Sequence, residues 1–133
     1  MAVGIASAVL DGWLNALCNA TNYTAPVAFY AKLHTADPGT GSTAAFGDAT
    51  RKSVSFGAAA AGGSGRRCTT DASTDWTNLS AAGTISHLSF WDAAAAGNFT
   101  GSAALTDPKT VAIADNFSIP SGSGTITVEP VAA

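Results

Sequence analysis

The sequence predicts a mainly β protein: an antiparallel β-sandwich, Ig-like or jelly-roll-like, with one N-terminal amphipathic α-helix. Three observations carry this. Period-two alternation recurs in short runs after Pro26. Gly, Pro, Ser and Asp turns separate those runs at spacings of roughly 8–15 residues. Only the stretch before Pro26 has a helical period. A chain of 133 residues holds one domain, here a helix within 1–22 followed by a sandwich over 27–129.

In the first segment Ile5, Val9, Leu10, Trp13, Leu14 and Leu17 recur at steps of three and four, forming one apolar stripe. Gly4, Ser7, Asp11 and Asn15 fall largely on the other side, and residues 19–22 supply the stop. One helix cannot cover its own stripe, so it must lie on a sheet or on a neighbouring subunit. Trp13, Leu14 and Leu17 are therefore candidate assembly residues.

Val27, Phe29, Ala31 and Leu33 then alternate with Ala28, Tyr30, Lys32 and His34, which gives a strand with one apolar face. Asp37-Pro38-Gly39 makes a turn by its own chemistry, because proline fixes one dihedral and glycine accepts positive φ. These three residues form the second candidate interface. Further strands are expected over 52–56, 66–70, 84–91, 98–105, 110–114, 116–119 and 125–128. Residues 57–65, 71–75, 92–97, 106–108 and 120–124 separate them. The four-alanine runs 58–61 and 93–96 are each followed by glycine and read as loops. The alternation of 125–129, stopped by Pro130, ties the end of the chain into the sheet.

Composition narrows the function. Apolar residues make up 47% and charged residues 11%, which excludes disorder of the highly charged kind. A net charge of -3 and a pI near 4.9 oppose a duplex nucleic-acid binder. Arg51-Lys52 and Arg66-Arg67 read as solvated strand ends rather than phosphate sites. No apolar run has the length of a membrane span. The first twenty residues carry Asp11 and no Lys or Arg, so they read as structure and not as a targeting signal. The Asn-x-Ser/Thr triplets at Asn19, Asn22, Asn78, Asn98 and Asn116 then arise by chance in a Thr/Ser/Asn-rich chain. Cys18 and Cys68 lack CxxC spacing and read as two buried free thiols, with a single disulfide as the alternative.

No catalytic or metal-binding pattern emerges. His34 and His87 are the only histidines, and there is no G-x-S-x-G: Gly62-Gly63-Ser64-Gly65 and Ser121-Gly122-Ser123-Gly124 lack that frame. Asp37, Asp92, Asp107 and Asp115 sit beside Pro, Gly, Asn or Ala, where aspartate serves turns. No His/Cys pair has ligand spacing, and Glu129 is the sole glutamate, which argues against zinc and calcium. Residues 57–65 are glycine-rich without the GKS/T ending of a phosphate cradle, so no cofactor is expected. His87 reads as a core-edge histidine held by a backbone partner. Trp76 and Trp91 read as core residues, with stacking on a sugar as the alternative.

A resemblance enters through several motifs. They are Leu33-His34-Thr35-Ala36-Asp37-Pro38-Gly39, Ile85-Ser86-His87 leading to Phe90-Trp91-Asp92-Ala93, and Gly97-Asn98-Phe99. Ala104-Leu105-Thr106 with Pro108-Lys109-Thr110-Val111, and Asp115-Asn116-Phe117-Ser118-Ile119-Pro120 followed by Gly122, continue the pattern. Together they resemble a family of short virion proteins of tailed bacteriophages, notably those of actinobacteria, of the tail fibre or minor tail type. The resemblance covers nearly the whole chain; residues 42–65 are its least similar part, and the family tends to have glycine where this chain has Ala114. It implies a non-enzymatic virion structural protein with no catalytic residue to carry over.

The expected role is an accessory subunit on the virion surface, associated with the tail. Decoration of the capsid is the alternative, and a carbohydrate-binding adhesion module a more distant one. The expected partners are other copies of the chain and other virion proteins, tail or major capsid, with no nucleic acid and no membrane insertion. A host surface glycan enters only with the adhesion alternative. Its place is the virion, after synthesis in the bacterial host cytoplasm.

Overall fold

The computed structural model describes residues 3–48, 50–63 and 65–128. Helix α1 (Ser7–Cys18) precedes nine strands: β1 (Phe29–His34), β2 (Lys52–Val54), β3 (Ala60–Gly62), β4 (Gly65–Thr69), β5 (Thr74–Trp76), β6 (Gly83–Trp91), β7 (Phe99–Val111), β8 (Phe117–Ile119) and β9 (Thr125–Val128). All pairings are antiparallel. The strands divide into a four-stranded sheet, β2-β1-β6-β7, a three-stranded sheet, β3-β4-β9, and the pair β5-β8.

The main sheet follows from the alternation in β1. Ala31 and Leu33 point to one face and are fully buried. Their partners across the ladder, Phe90 and Leu88, share that face because directly opposed residues point the same way. Against it pack Trp76 of β5 and Phe117 of β8, whose rings are 5.8 Å apart, together with Phe46 and Leu79, while Ile85 of β6 and Val111 of β7 join the same core from the sheet itself. Burying such side chains at about 25 cal/mol per Å² of apolar surface is the main stabilising term. The β3-β4-β9 sheet joins the rest beside β2, through an isolated bridge between Phe56 and Thr70.

Three elements depart from the sequence expectation. Residues 106–108 do not separate two strands; β7 runs through them. On β6, Ile85 pairs with Lys109 and His87 pairs with Ala104, so the residues between 104 and 109 bulge from the ladder opposite Ser86 alone. Proline is tolerated there because an edge-strand bulge requires no ladder donor from it. The run 58–61 is not wholly loop, since Ala60 and Ala61 open β3 and pair with Arg67 and Arg66. The separator 71–75 likewise gives way to β5. The expected strand 125–129 is present as Thr125–Val128, while Glu129 and Pro130 lie outside the described residues.

The helix is shorter than the stripe. Ile5 lies outside it, in an extended segment that bridges Gly101 of β7. Ser102 N–H donates to the Gly4 carbonyl at 2.8 Å, and Ala6 N–H donates to the Thr100 carbonyl at 2.9 Å. Residues 4–6 thus extend the main sheet along the otherwise free edge of β7. Gly101 permits the approach: a Cβ there would lie 2.7 Å from the Gly4 oxygen.

Candidate assembly surface

Residues 4–6 hold α1 at the edge of the main sheet, and the helix divides into two sides. Val9, Gly12 and Ala16, spaced for one face, are half-buried. Tyr23, on the loop that follows the helix, fills this side. A Cβ at Gly12 would lie 2.9 Å from the Tyr23 ring, and Trp13 meets Tyr23 edge-on at 6.3 Å. The other side carries Leu10, Leu14 and Leu17, which are 41%, 58% and 82% exposed. No residue of α1 is buried. Of the expected assembly residues, Leu14 and Leu17 therefore form an open ridge, while Trp13 leans back on Tyr23.

Beside the helix, the main sheet is incompletely covered. An apolar cleft of about 600 Å³ lies between α1 and β9, with Val9, Trp13, Phe29, Phe90, Ala103 and Ile126 among its walls. Thr100, the extra residue of β7 where Phe90 pairs with Gly101 and Trp91 with Phe99, is buried, and its hydroxyl has no partner among the described residues.

Asp37, Pro38 and Gly39 do not join this surface. Their loop folds onto the opposite face of the main sheet, and Pro38 is fully buried in its own chain. Asp37 Oδ1 accepts the Gly39 N–H at 2.8 Å, an Asx turn that holds the carboxyl below its usual range. Gly41 N–H donates to the Pro38 carbonyl at 2.8 Å. A Cβ on Gly41 would lie 2.5 Å from the Trp91 ring and 2.6 Å from Phe99, so the loop sits directly on those aromatics.

The two tryptophans differ in burial. Trp76 is 1% exposed, and its indole N–H donates to the Thr50 carbonyl at 3.0 Å. It has no face to offer a sugar. Trp91 is half-buried: the Arg51 guanidinium lies 3.7 Å over its ring, and Phe99 meets it at 5.7 Å. Arg51 also donates to the Ala93 carbonyl at 2.9 Å and to that of Ala96. It is a clamp on the 93–96 loop, not the solvated strand end expected. The remaining aspartates hold loops too. Asp92 accepts from the Asn98 backbone at 2.7 Å and side chain at 2.8 Å, Asp115 accepts from Ala112 N–H at 2.8 Å, and Asp107 pairs with Lys109.

One constellation escaped the sequence reading. His34 Nε2 lies 2.8 Å from Ser89 Oγ, the spacing of a nucleophile and its base. Both residues are 0% exposed, the histidine is oriented by the Thr43 carbonyl at 2.8 Å, and Ser89 Oγ also accepts the Trp91 indole N–H at 2.8 Å. A substrate cannot reach a hydroxyl enclosed in this way, so the pair fastens the loop. A 55-residue separation leaves no local signal for it. His87, half-buried, bonds the Ser86 hydroxyl at 2.8 Å rather than a backbone group. Both cysteines are free, and Cys18 is exposed rather than buried. Among the described residues no group of three or more His, Cys, Asp or Glu side chains could hold a metal. No described helix is long and apolar enough to cross a membrane.

Residues 4–127 match the model of a phage family described as Podophage GP4 fiber I protein gp80. The chain belongs to this fibre family. The match takes in the β7-edge segment, α1, β1 to β8 and most of β9. Membership makes the chain a tail-fibre-type structural protein of the virion, associated with other virion proteins. No curated protein matches it. Ala114 has φ +70°, in the left-handed region that glycine occupies without strain.

Proposed function

We propose that the chain is an accessory subunit on the virion surface, of minor tail or fibre type, attached at the tail and without catalytic activity. The observation that carries this reading is the fibre-family match over residues 4–127. Two features support it. An apolar helix ridge and an adjoining apolar cleft stand open on one side, as in a chain that completes its burial within an assembly. The His34–Ser89 pair is sealed in the interior, which fits a scaffold.

Copy number per virion tests the location. Quantitative mass spectrometry against the major capsid protein is expected to find a handful of copies, as for a tail component. A ratio near one per capsid protein, or near one per capsomer, would make the chain a capsid decoration subunit instead. Absence from purified virions would overturn the structural role altogether.

A further inference from the structure

We infer that the outer edge of β9 is a strand-addition site, which takes an extended, uncharged segment of another virion protein into the apolar cleft beside it. The inference rests on the reading of the chain as an assembled virion subunit and specifies how one partner attaches.

β9 ends its sheet. The order is β3-β4-β9, and among the described residues β9 pairs with β4 alone. In an antiparallel ladder every second residue turns its N–H and C=O away from the partner. β9 therefore presents a row of backbone donors and acceptors with no strand opposite. Strand edges are ordinarily blunted by lysine, proline, a bulge or a covering element. Thr125–Val128 contains no lysine or proline, pairs with β4 in unbroken register and is exposed throughout. The edge of β7, by contrast, is covered by residues 4–6.

The cleft opens at that edge. Residues 125, 126 and 127 all line it, although side chains along a strand point alternately to opposite faces. No residue of β4 lines it, so the cleft lies on the side of β9 away from β4. Its floor is the apolar face of the main sheet, at Phe29, Leu88 and Phe90. A strand added to β9 sets alternate side chains on this floor, as in strand-addition recognition generally. Among the described lining residues only Asp107 and Lys109 are charged, and they pair with each other, so the cleft suits an uncharged segment.

Size and strand inventory favour a different protein over a second copy. A cleft of about 600 Å³ is of ligand-pocket size, enough for one short segment and not for the edge of a folded sheet. All nine strands of the described fold are already paired within it, so a second copy has no strand to lend.

Photo-crosslinking in assembled virions tests the site. A photo-reactive phenylalanine analogue at Val128, beside the cleft, is expected to crosslink to one continuous segment of one other virion protein. The same group at Ile113, exposed and outside the cleft, is expected not to reach that segment. Crosslinks from Val128 to another copy of the chain, or none, would overturn the inference. Thr125→Lys places a charge on the edge and is expected to lower the copy number per virion about tenfold or more, with unchanged circular dichroism of the isolated chain. Normal incorporation of that variant would also overturn it. Hydrogen exchange on the wild type keeps the test open if Thr125→Lys misfolds: the outward β9 amides should exchange freely in the isolated chain and be protected in virions. Equal exchange in the two, with the chain present in virions, overturns the strand addition alone and leaves the fibre reading standing. Absence of the chain from virions overturns that reading and the inference with it.

Discussion

Ser89 Oγ and His34 Nε2 are 2.8 Å apart in the interior, bonded across 55 residues of sequence. The proton positions follow from the partners. The Thr43 carbonyl can only accept, so His34 Nδ1 carries a hydrogen and donates to it. His34 Nε2 then accepts the Ser89 hydroxyl, which in turn accepts from the Trp91 indole. A single neutral tautomer satisfies the whole chain, and it joins β1, β6 and the 35–48 loop.

This geometry makes stability depend on pH. Burial is the largest cause that lowers the His34 pKa below 6.5, with Lys32 and His87 opposing its charge further. The folded pKa is depressed, so the unfolded chain binds the proton more readily. The His34 contribution is therefore complete above pH 6.5 and declines as pH falls through that value, levelling once the folded pKa is passed. Urea unfolding midpoints should drop between pH 7 and 5, above the range in which the carboxylates titrate. His34→Gln should flatten that segment of the profile; an unchanged slope in the variant would assign the effect elsewhere.

Ser89→Ala removes the shared hydroxyl and takes the partner from His34 Nε2, which is buried, and from Trp91 Nε1, on a half-buried ring. The expected loss is about 1–3 kcal/mol of stability. Increased hydrogen exchange within the 35–48 loop should accompany it, because that loop is fastened through Thr43. Denaturant titration and exchange mass spectrometry read the two effects separately.

The sequence made the strands legible wherever one face was apolar. The alternation in β1 and in β9, and the aromatic run of β6, sit where period two places them. Local chemistry misled where tertiary pairing decides. Thr106-Asp107-Pro108 has turn composition, yet its residues sit in a bulge of an edge strand, a setting that composition cannot distinguish from a turn. Leu14 and Leu17 were visible as an apolar stripe, but a periodic stripe does not reveal whether it faces a core or solvent. Asp37-Pro38-Gly39 looked like a surface loop because turns usually are, yet Pro38 is fully buried, and the aromatics on which the loop rests at Gly41, Trp91 and Phe99, lie far along the chain.

Gly101→Ala should release the N-terminal segment. The added methyl meets the Gly4 carbonyl at 2.7 Å and the Ile5 Cα at 3.3 Å, both backbone atoms that must move together. Ala6 and Ser102 amides are then expected to lose exchange protection, while the core midpoint shifts by no more than the ~1–3 kcal/mol of an overpacked site. Retained protection at both amides would show that the segment is held by other contacts.

Ala114→Gly should stabilise the protein. At φ +70° an alanine Cβ crowds the following carbonyl, and glycine removes that strain. The position also carries a tertiary bond, Ala114 N–H to the Leu79 carbonyl at 2.8 Å, which the substitution preserves. A gain of about 1 kcal/mol is expected in denaturant titration. A loss would mean that the entropy of an unfolded glycine outweighs the relief of strain.

The two thiols should differ in reactivity, because Cys18 is exposed at the end of α1 and Cys68 is half-buried in β4. A chromogenic disulfide reagent should label one thiol per chain quickly and the second slowly. Cys18→Ser should abolish the fast phase and leave the slow one, since the Cys68 rate is set by its place between β3 and β9. A fast phase that survives Cys18→Ser would mean that β4 opens more readily than its pairing on both sides implies.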